Sequence, residues 1–81
     1  MKRKEIVEWR LIDSTVFAAA AYRRTERRLY LLFRSGELYC YFDVSAQEFR
    51  DFLASDSKGQ YFSRNIRNRF RCRHLPRRNG R

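Results

Sequence analysis

The chain is poor in the residues on which small catalytic and secreted proteins usually depend. Its 81 residues include one histidine, one proline, two cysteines and three glycines. The lone His74 has no second histidine and no nearby Asp or Ser at useful spacing, so neither a metal site nor a catalytic triad is expected. Three scattered glycines form no phosphate-cradling loop. Cys40 and Cys72 lack metal-ligand spacing and are too few for a disulfide framework. Two buried thiols are expected, with a disulfide between them left open. Long apolar runs are also missing. The longest, Val16–Tyr22, has seven residues, against the roughly 20 that a membrane helix needs. The MKRK start leads into a charged EIVEWR instead of an apolar signal core. The expectation is a cytoplasmic protein with no membrane segment. The carboxylates of Asp43, Glu48 and Asp51 are explained by capping and helix surface. No nucleophile-plus-base pair stands out, so neither an enzyme nor a cofactor is expected.

Acids are scarce as well: nine Asp and Glu stand against nineteen Lys and Arg, a formal charge of +10. The excess is lopsided. From Ser55 onward, Lys58, Arg64, Arg67, Arg69, Arg71, Arg73, Arg77, Arg78 and Arg81 face only Asp56. Residues 1–54 are nearly balanced, with ten bases and eight acids. Such a field attracts polyanions before any specific contact forms. Arginine also forks onto phosphate better than any other side chain. RNA or DNA is therefore the first partner to consider.

What the chain has in quantity is aromatic bulk: seven Phe, five Tyr and one Trp. One small domain fits this length, and it buries roughly 60–65% of the surface its unfolded chain exposes. Large rings meet that need. Residues 1–12 read as an N-terminal arm or first strand, 13–75 as the domain, and 76–81 as a basic flexible tail.

Val16–Tyr22 reads as a strand, with Phe17, Ala19 and Ala21 on one side and Val16, Ala18, Ala20 and Tyr22 on the other. Leu29–Phe33 and Leu38–Phe42 flank Ser35-Gly36, a tight-turn signal, and form an antiparallel hairpin. Tyr39 and Tyr41 share one face of the return strand; Leu38, Cys40 and Phe42 share the other. Ser45-Ala46-Gln47-Glu48 has the capping-box form and opens a helix striped by Phe49, Phe52 and Leu53. Ser57 caps a second helix to about Arg67, with Tyr61, Phe62 and Ile66 inward. Arg69–His74 alternates as a last strand, with Phe70, Cys72 and His74 inward and Arg69, Arg71 and Arg73 outward. The fold class is α+β: an antiparallel meander, two short helices, and a C-terminal strand.

This order of pieces resembles the KTSC domain, a short bacterial module. Ser14-Thr15-Val16-Phe17 leads to Ala21-Tyr22. Leu29-x-Leu31-x-Phe33 and Ser35-Gly36 follow, then Tyr39-Cys40-Tyr41. Ser57-Lys58-Gly59-x-Tyr61-Phe62 and Ile66-Arg67 complete the set. Two positions depart: Ser45 or Ala46 replaces a frequent proline, and Arg23 replaces a frequent acid. The family takes its name from the C-terminus of certain lysyl-tRNA synthetases and also stands alone. The resemblance implies RNA binding as the suggested role, with Lys58 and Arg67 at matching positions.

Three candidate sites follow. An arginine-rich face of Lys58, Arg64, Arg67, Arg69, Arg71 and Arg73 is favoured over a merely solubilising surface, because its strand members would lie about 7 Å apart, near phosphate spacing. Six such contacts give a salt slope of roughly −4 on single strands and −5 on duplex. Ser57, Lys58 and Gly59 form a possible phosphate site at a helix start, although Ser57 alone is better read as an ordinary cap. Tyr39 and Tyr41 are possible base-stacking residues, with core packing the favoured account. Tyr22 and Tyr30 are the remaining stacking candidates. The rival function is a protein-interaction module docking on an acidic partner or a dimer mate through exposed Trp9 and Phe17. Contact with anionic lipid lacks an amphipathic basic helix and ranks last. The sequence does not set the oligomeric state.

Overall fold

The computed structural model describes residues 9–76. The arm before Trp9 and the tail from Arg77 onward lie outside the described residues. Five antiparallel strands form one sheet in chain order. They are β1 (Arg10–Leu11), β2 (Phe17–Arg23), β3 (Arg28–Phe33), β4 (Leu38–Tyr41) and β5 (Cys72–Leu75). Between β4 and β5 come α1 (Ala46–Ala54), α2 (Lys58–Tyr61) and a π-helical turn, Phe62–Ile66. The α+β arrangement expected from the sequence is the one observed.

Local chemistry sets the turns and caps. Gly36 takes φ +100°, and its amide donates to the Phe33 carbonyl at 2.9 Å. Glycine reaches this left-handed region without a Cβ clash. The Ser45 hydroxyl accepts from the Glu48 amide at 3.1 Å, while the Ser45 amide donates to Glu48 Oε1 at 3.3 Å. That reciprocal box satisfies two amides that the first turn of α1 leaves unpaired. Ser57 Oγ accepts from the Gln60 amide at 3.3 Å and starts α2. The second helix then widens: the Arg67 amide donates to the Phe62 carbonyl five residues back, at 2.8 Å.

Strand register separates the two faces of the sheet. Ala20, Leu31, Tyr39 and His74 align across the inner face, as do Tyr22, Leu29, Tyr41 and Cys72. Phe52, Phe62 and Ile66 from the helices close on that face. The Phe17 ring sits at its centre, 5.5 Å from Phe52 and 5.3 Å from Phe62, edge to face. This geometry suits the ring quadrupoles. Among the described residues, no helix packs on the outer face.

Four sequence expectations change. First, β2 does not alternate cleanly. Its register against β3 shifts between Phe17 and Ala19, so Ala18 is a bulge residue. An extra residue reverses the phase of a strand. Phe17 therefore joins Ala20 and Tyr22 inside, while Ala19 and Ala21 face outward. Second, Phe17 has 0% exposure and is no docking anchor. Third, β5 starts at Cys72, not Arg69. The Arg69 and Phe70 amides both donate to the Ile66 carbonyl, at 3.1 and 3.3 Å, which holds them to the preceding turn. Fourth, only Cys40 is a buried thiol; Cys72 is exposed and both are free. They face opposite sides of the sheet, and Cys72 is exposed because β5 is an edge strand whose inner side the helices do not roof.

Candidate nucleic-acid interface

The six residues of the expected arginine face do not share a surface. Lys58, Arg64 and Arg67 line a groove of about 1180 Å³ on the inner side of the molecule. It runs between α2, the π-helical turn, the loop around Ser14 and the ends of β3 and β4. Asp13, Glu37 and Asp56 line the same groove, so its lining holds as many acids as bases. Arg69 stands elsewhere, with its guanidinium 3.1 Å from Glu48 Oε2 and 5.0 Å from the Phe70 ring centre. Arg71 and Arg73 lie on the outer face. The split follows from two local facts. The helices project Lys58, Arg64 and Arg67 toward the groove, and the strand begins too late to carry Arg69.

The residues of the possible phosphate site each have a structural role. Ser57 caps Gln60. Lys58 Nζ donates to the Ser55 carbonyl at 2.8 Å, tying off the end of α1. Gly59 lies against Val16, where a Cβ would come within 3.1 Å of Val16 Cγ2. The glycine admits a side chain of its own protein, and a four-residue helix offers little dipole for an anion. The stacking candidates Tyr39 and Tyr41 are on the inner face, and Tyr41 is only 4% exposed. Burial pushes the Tyr41 hydroxyl well above its ordinary pKa, with Cys72 and Tyr39 adding to the shift. The Tyr22 ring stacks on Phe49 at 5.0 Å, and its hydroxyl donates to the Val44 carbonyl at 2.6 Å. Core packing therefore occupies the Tyr41 and Tyr22 rings, while Tyr39 is half-buried along the groove.

The outer face gathers a different set. Phe42 carries the Arg28 guanidinium 5.1 Å and the Arg71 guanidinium 5.4 Å from its ring centre. Tyr30 pairs in register with Cys40, which pairs in turn with Arg73. Trp9 meets Tyr30 edge to face at 6.4 Å and is 45% exposed. Ala19, Ala21 and Cys40 on the same face are all buried, and Ala21 and Cys40 flank Tyr30 in register. Burial pushes the Cys40 thiol up in pKa, which keeps it neutral. Two acids stand at the ends of the strands, not on the face. Glu26 lies 3.5 Å from Arg28, and Asp43 lies 3.7 Å from Arg71. Arg73 makes no ion pair among the described residues. Beside it, Arg28, Tyr30, Cys40, Phe42 and Leu75 complete a hollow of about 190 Å³.

Of these residues, Arg71, Arg73, Tyr30 and Trp9 were singled out in the sequence; Arg28 and Phe42 were not. Their signal was present. Leu29, Leu31 and Phe33 inward put Arg28 and Tyr30 outward, and Tyr39 and Tyr41 inward put Phe42 outward. Periodicity does not say which face the helices leave uncovered, nor that three strands bring these residues together.

Comparison with known proteins agrees with this geometry. The KTSC domain model matches residues 13–70. A protein of Tsukamurella paurometabola is 35% identical over 61 residues, covering 75% of this chain and 91% of its own. The crystal structure of a KTSC domain protein from Yersinia pestis superposes with a TM-score of 0.84 at 25% identity, covering 88% of this chain and all of that one. The motifs that carried the resemblance, around Ser14, Tyr39 and Gly59, meet along the inner groove. On sequence and fold together, this chain belongs to the KTSC domain family.

Proposed function

We propose that this protein is a non-catalytic module that binds single-stranded nucleic acid, RNA in preference to DNA, on the outer face of its sheet. Arg28, Arg71 and Arg73 contact phosphates, and Tyr30, Phe42 and Trp9 stack bases. The observation that carries this is the composition of one surface: the exposed Trp9 and the half-buried Tyr30 and Phe42 interleaved with arginines, and no acid at its strand positions among the described residues. An aromatic sheet flanked by cations is a general solution for single strands, because every base has a π-face and every nucleotide a phosphate. Guanidinium planes add stacking surface of their own. The inner groove, with balanced charge, lacks the field this task needs. The preference for RNA rests on the family's setting in a tRNA synthetase.

Three phosphate contacts give a log K versus log salt slope of about −2 on a single strand, against the roughly −4 expected for six. A salt titration with a fluorescent RNA oligomer measures it. Binding that is absent at low salt, or indifferent to salt, rules the function out.

A further inference from the structure

Apart from nucleic-acid binding on the outer face, we propose that the inner groove docks a short extended peptide segment of a partner protein. The segment carries one basic and one acidic residue four positions apart, with apolar residues between them. The charges lining the groove are sorted by position. At the hairpin end of β3 and β4, the Arg34 amide donates to the Val16 carbonyl at 2.9 Å, and Arg34 Nε donates to the Ser14 carbonyl at 2.6 Å. These bonds fix the loop that carries Asp13. Gly59 lies against Val16, so the start of α2, with Asp56 just before it, comes to the same end. Arg67 stands at the other end of β4, beside Tyr41. Burial raises the Tyr41 pKa, and the Arg67 charge opposes that rise. Arg64 lies about one turn earlier in the π-helical segment.

These end groups are unspent. Asp13, Asp56, Arg64 and Arg67 are exposed, and their side chains form no ion pair or hydrogen bond among the described residues. The other charges of the lining are used: Glu37 pairs with His74, and Lys58 Nζ holds the Ser55 carbonyl. Between the two ends the floor is built of rings. Phe33 meets Tyr39 at 5.6 Å and Phe62 at 5.7 Å, and Phe62 meets Tyr41 at 5.6 Å. From Glu37 to Tyr41 the floor runs four residues of β4, about 14 Å. A nucleic acid lying along it would bring phosphates to the carboxylates, and a polycation would bring its charges to the guanidiniums. A free amino acid is too short to reach both ends. Five extended residues with opposite charges on the first and last span that length. Their apolar side chains then cover the rings. The hydroxyls of Ser14 and Ser63 and the amide of Asn68 both donate and accept, which suits a peptide backbone.

The test uses the full chain and end-capped, fluorescein-labelled peptides in which Leu-Ala-Leu separates two charged residues, followed by fluorescence anisotropy. One peptide pairs lysine with glutamate, a second has two lysines and a third two glutamates. The mixed peptide is expected to bind about tenfold more tightly than either uniform one. Arg64→Glu with Arg67→Glu should transfer the preference to the two-lysine peptide. Asp13→Lys with Asp56→Lys should transfer it to the two-glutamate peptide. All four positions are exposed, and a gained preference requires a folded protein. If the wild type binds the two-glutamate peptide best, its net charge accounts for the binding and the docking site is overturned. No binding of any peptide, or a mixed-peptide preference that neither double variant moves, overturns it as well. The RNA titration is a separate measurement, so either reading can fail without the other.

Discussion

The two faces of this sheet use the same kinds of residue for opposite ends. On the inner face, Phe17, Phe52, Phe62 and Tyr41 touch one another and leave almost no surface to solvent. On the outer face, Trp9, Tyr30 and Phe42 share a surface with Ala19, Ala21 and Cys40, and two arginines lie over the Phe42 ring. The charges divide differently. The inner groove is lined by three bases and three acids, while on the outer face Arg28 and Arg71 pair with Glu26 and Asp43 at the strand ends and Arg73 makes no ion pair among the described residues. An aromatic or an arginine therefore has no fixed meaning in this chain. Its partners decide whether it holds the fold together or is left to meet a ligand.

The largest expected effect separates the faces by stability. Phe52→Ala removes a fully buried ring and should cost about 3–5 kcal/mol, a large share of the roughly 5–15 kcal/mol available to a small domain. Phe42→Ala, on the outer face, should cost under about 1 kcal/mol of stability. It should instead weaken RNA binding by about 1–3 kcal/mol. Urea denaturation and anisotropy on both variants make the comparison. If Phe42→Ala unfolds the protein as severely as Phe52→Ala does, the outer face is a second core and not a platform.

A second contrast concerns the arginines. Replacing Arg28, Arg71 and Arg73 together by alanine should flatten the salt slope by about 2 units, at roughly 0.7 per contact. Replacing Lys58, Arg64 and Arg67 should leave it near its original value. The reverse result would move the binding site into the groove.

These contrasts also mark what the sequence conveys. The Ser35-Gly36 turn, the Ser45–Glu48 box and the inward stripe of Phe49 and Phe52 are local features, and a local pattern suffices to read them. The phase of β2 is not local. One bulge residue, Ala18, reverses it, and Ala18 sits in a run of four alanines where no side chain distinguishes the bulge from its neighbours. The arginine face failed for a related reason. Spacing aligns Arg69 with Arg71 and Arg73 only if the strand begins at Arg69. The carbonyl of Ile66 instead holds the Arg69 amide, and Glu48, back in α1, holds its guanidinium. Arg28 and Phe42 become a pair only through the β3–β4 and β4–β5 ladders, which no short window contains.

A third, smaller effect tests the inner face through pH. Tyr41 has an ordinary pKa of 10.0 and a higher one when folded, mainly because it is buried. Its contribution to stability is complete below pH 10. Above that, the unfolded chain loses the proton while the folded chain keeps it. Unfolding therefore becomes easier as pH rises toward the folded value, by up to about 1.4 kcal/mol per pH unit for one such group. Burial raises Tyr22 and Tyr61 in the same sense. Cys40, also raised by burial, starts the decline from 9.0. Tyr41→Phe should flatten the part above pH 10 and change little at pH 7. Denaturation midpoints between pH 8 and pH 11 show it, and an unchanged alkaline slope in the variant would mean that Tyr41 ionises as easily folded as unfolded.

The smallest effect decides whether the start of α2 is a contact within the protein or an anion site. Gly59→Ala gains about 0.5–1 kcal/mol of helix propensity. The new methyl meets Val16 Cγ2 at 3.1 Å, so Val16 must move by a few tenths of an ångström. Val16 is 38% exposed and has room to retreat toward solvent. The two terms should nearly cancel, leaving stability within about 0.5 kcal/mol of wild type. In a Val16→Ala background the clash is gone, and the same substitution should stabilise by the full 0.5–1 kcal/mol or so. RNA affinity should not respond in either background, because Gly59 touches Val16 and the groove is charge-balanced. A Gly59→Ala variant of unchanged stability that nonetheless binds RNA tenfold more weakly would return the phosphate to the α2 end, and the inner groove would then share in recognition with the outer face.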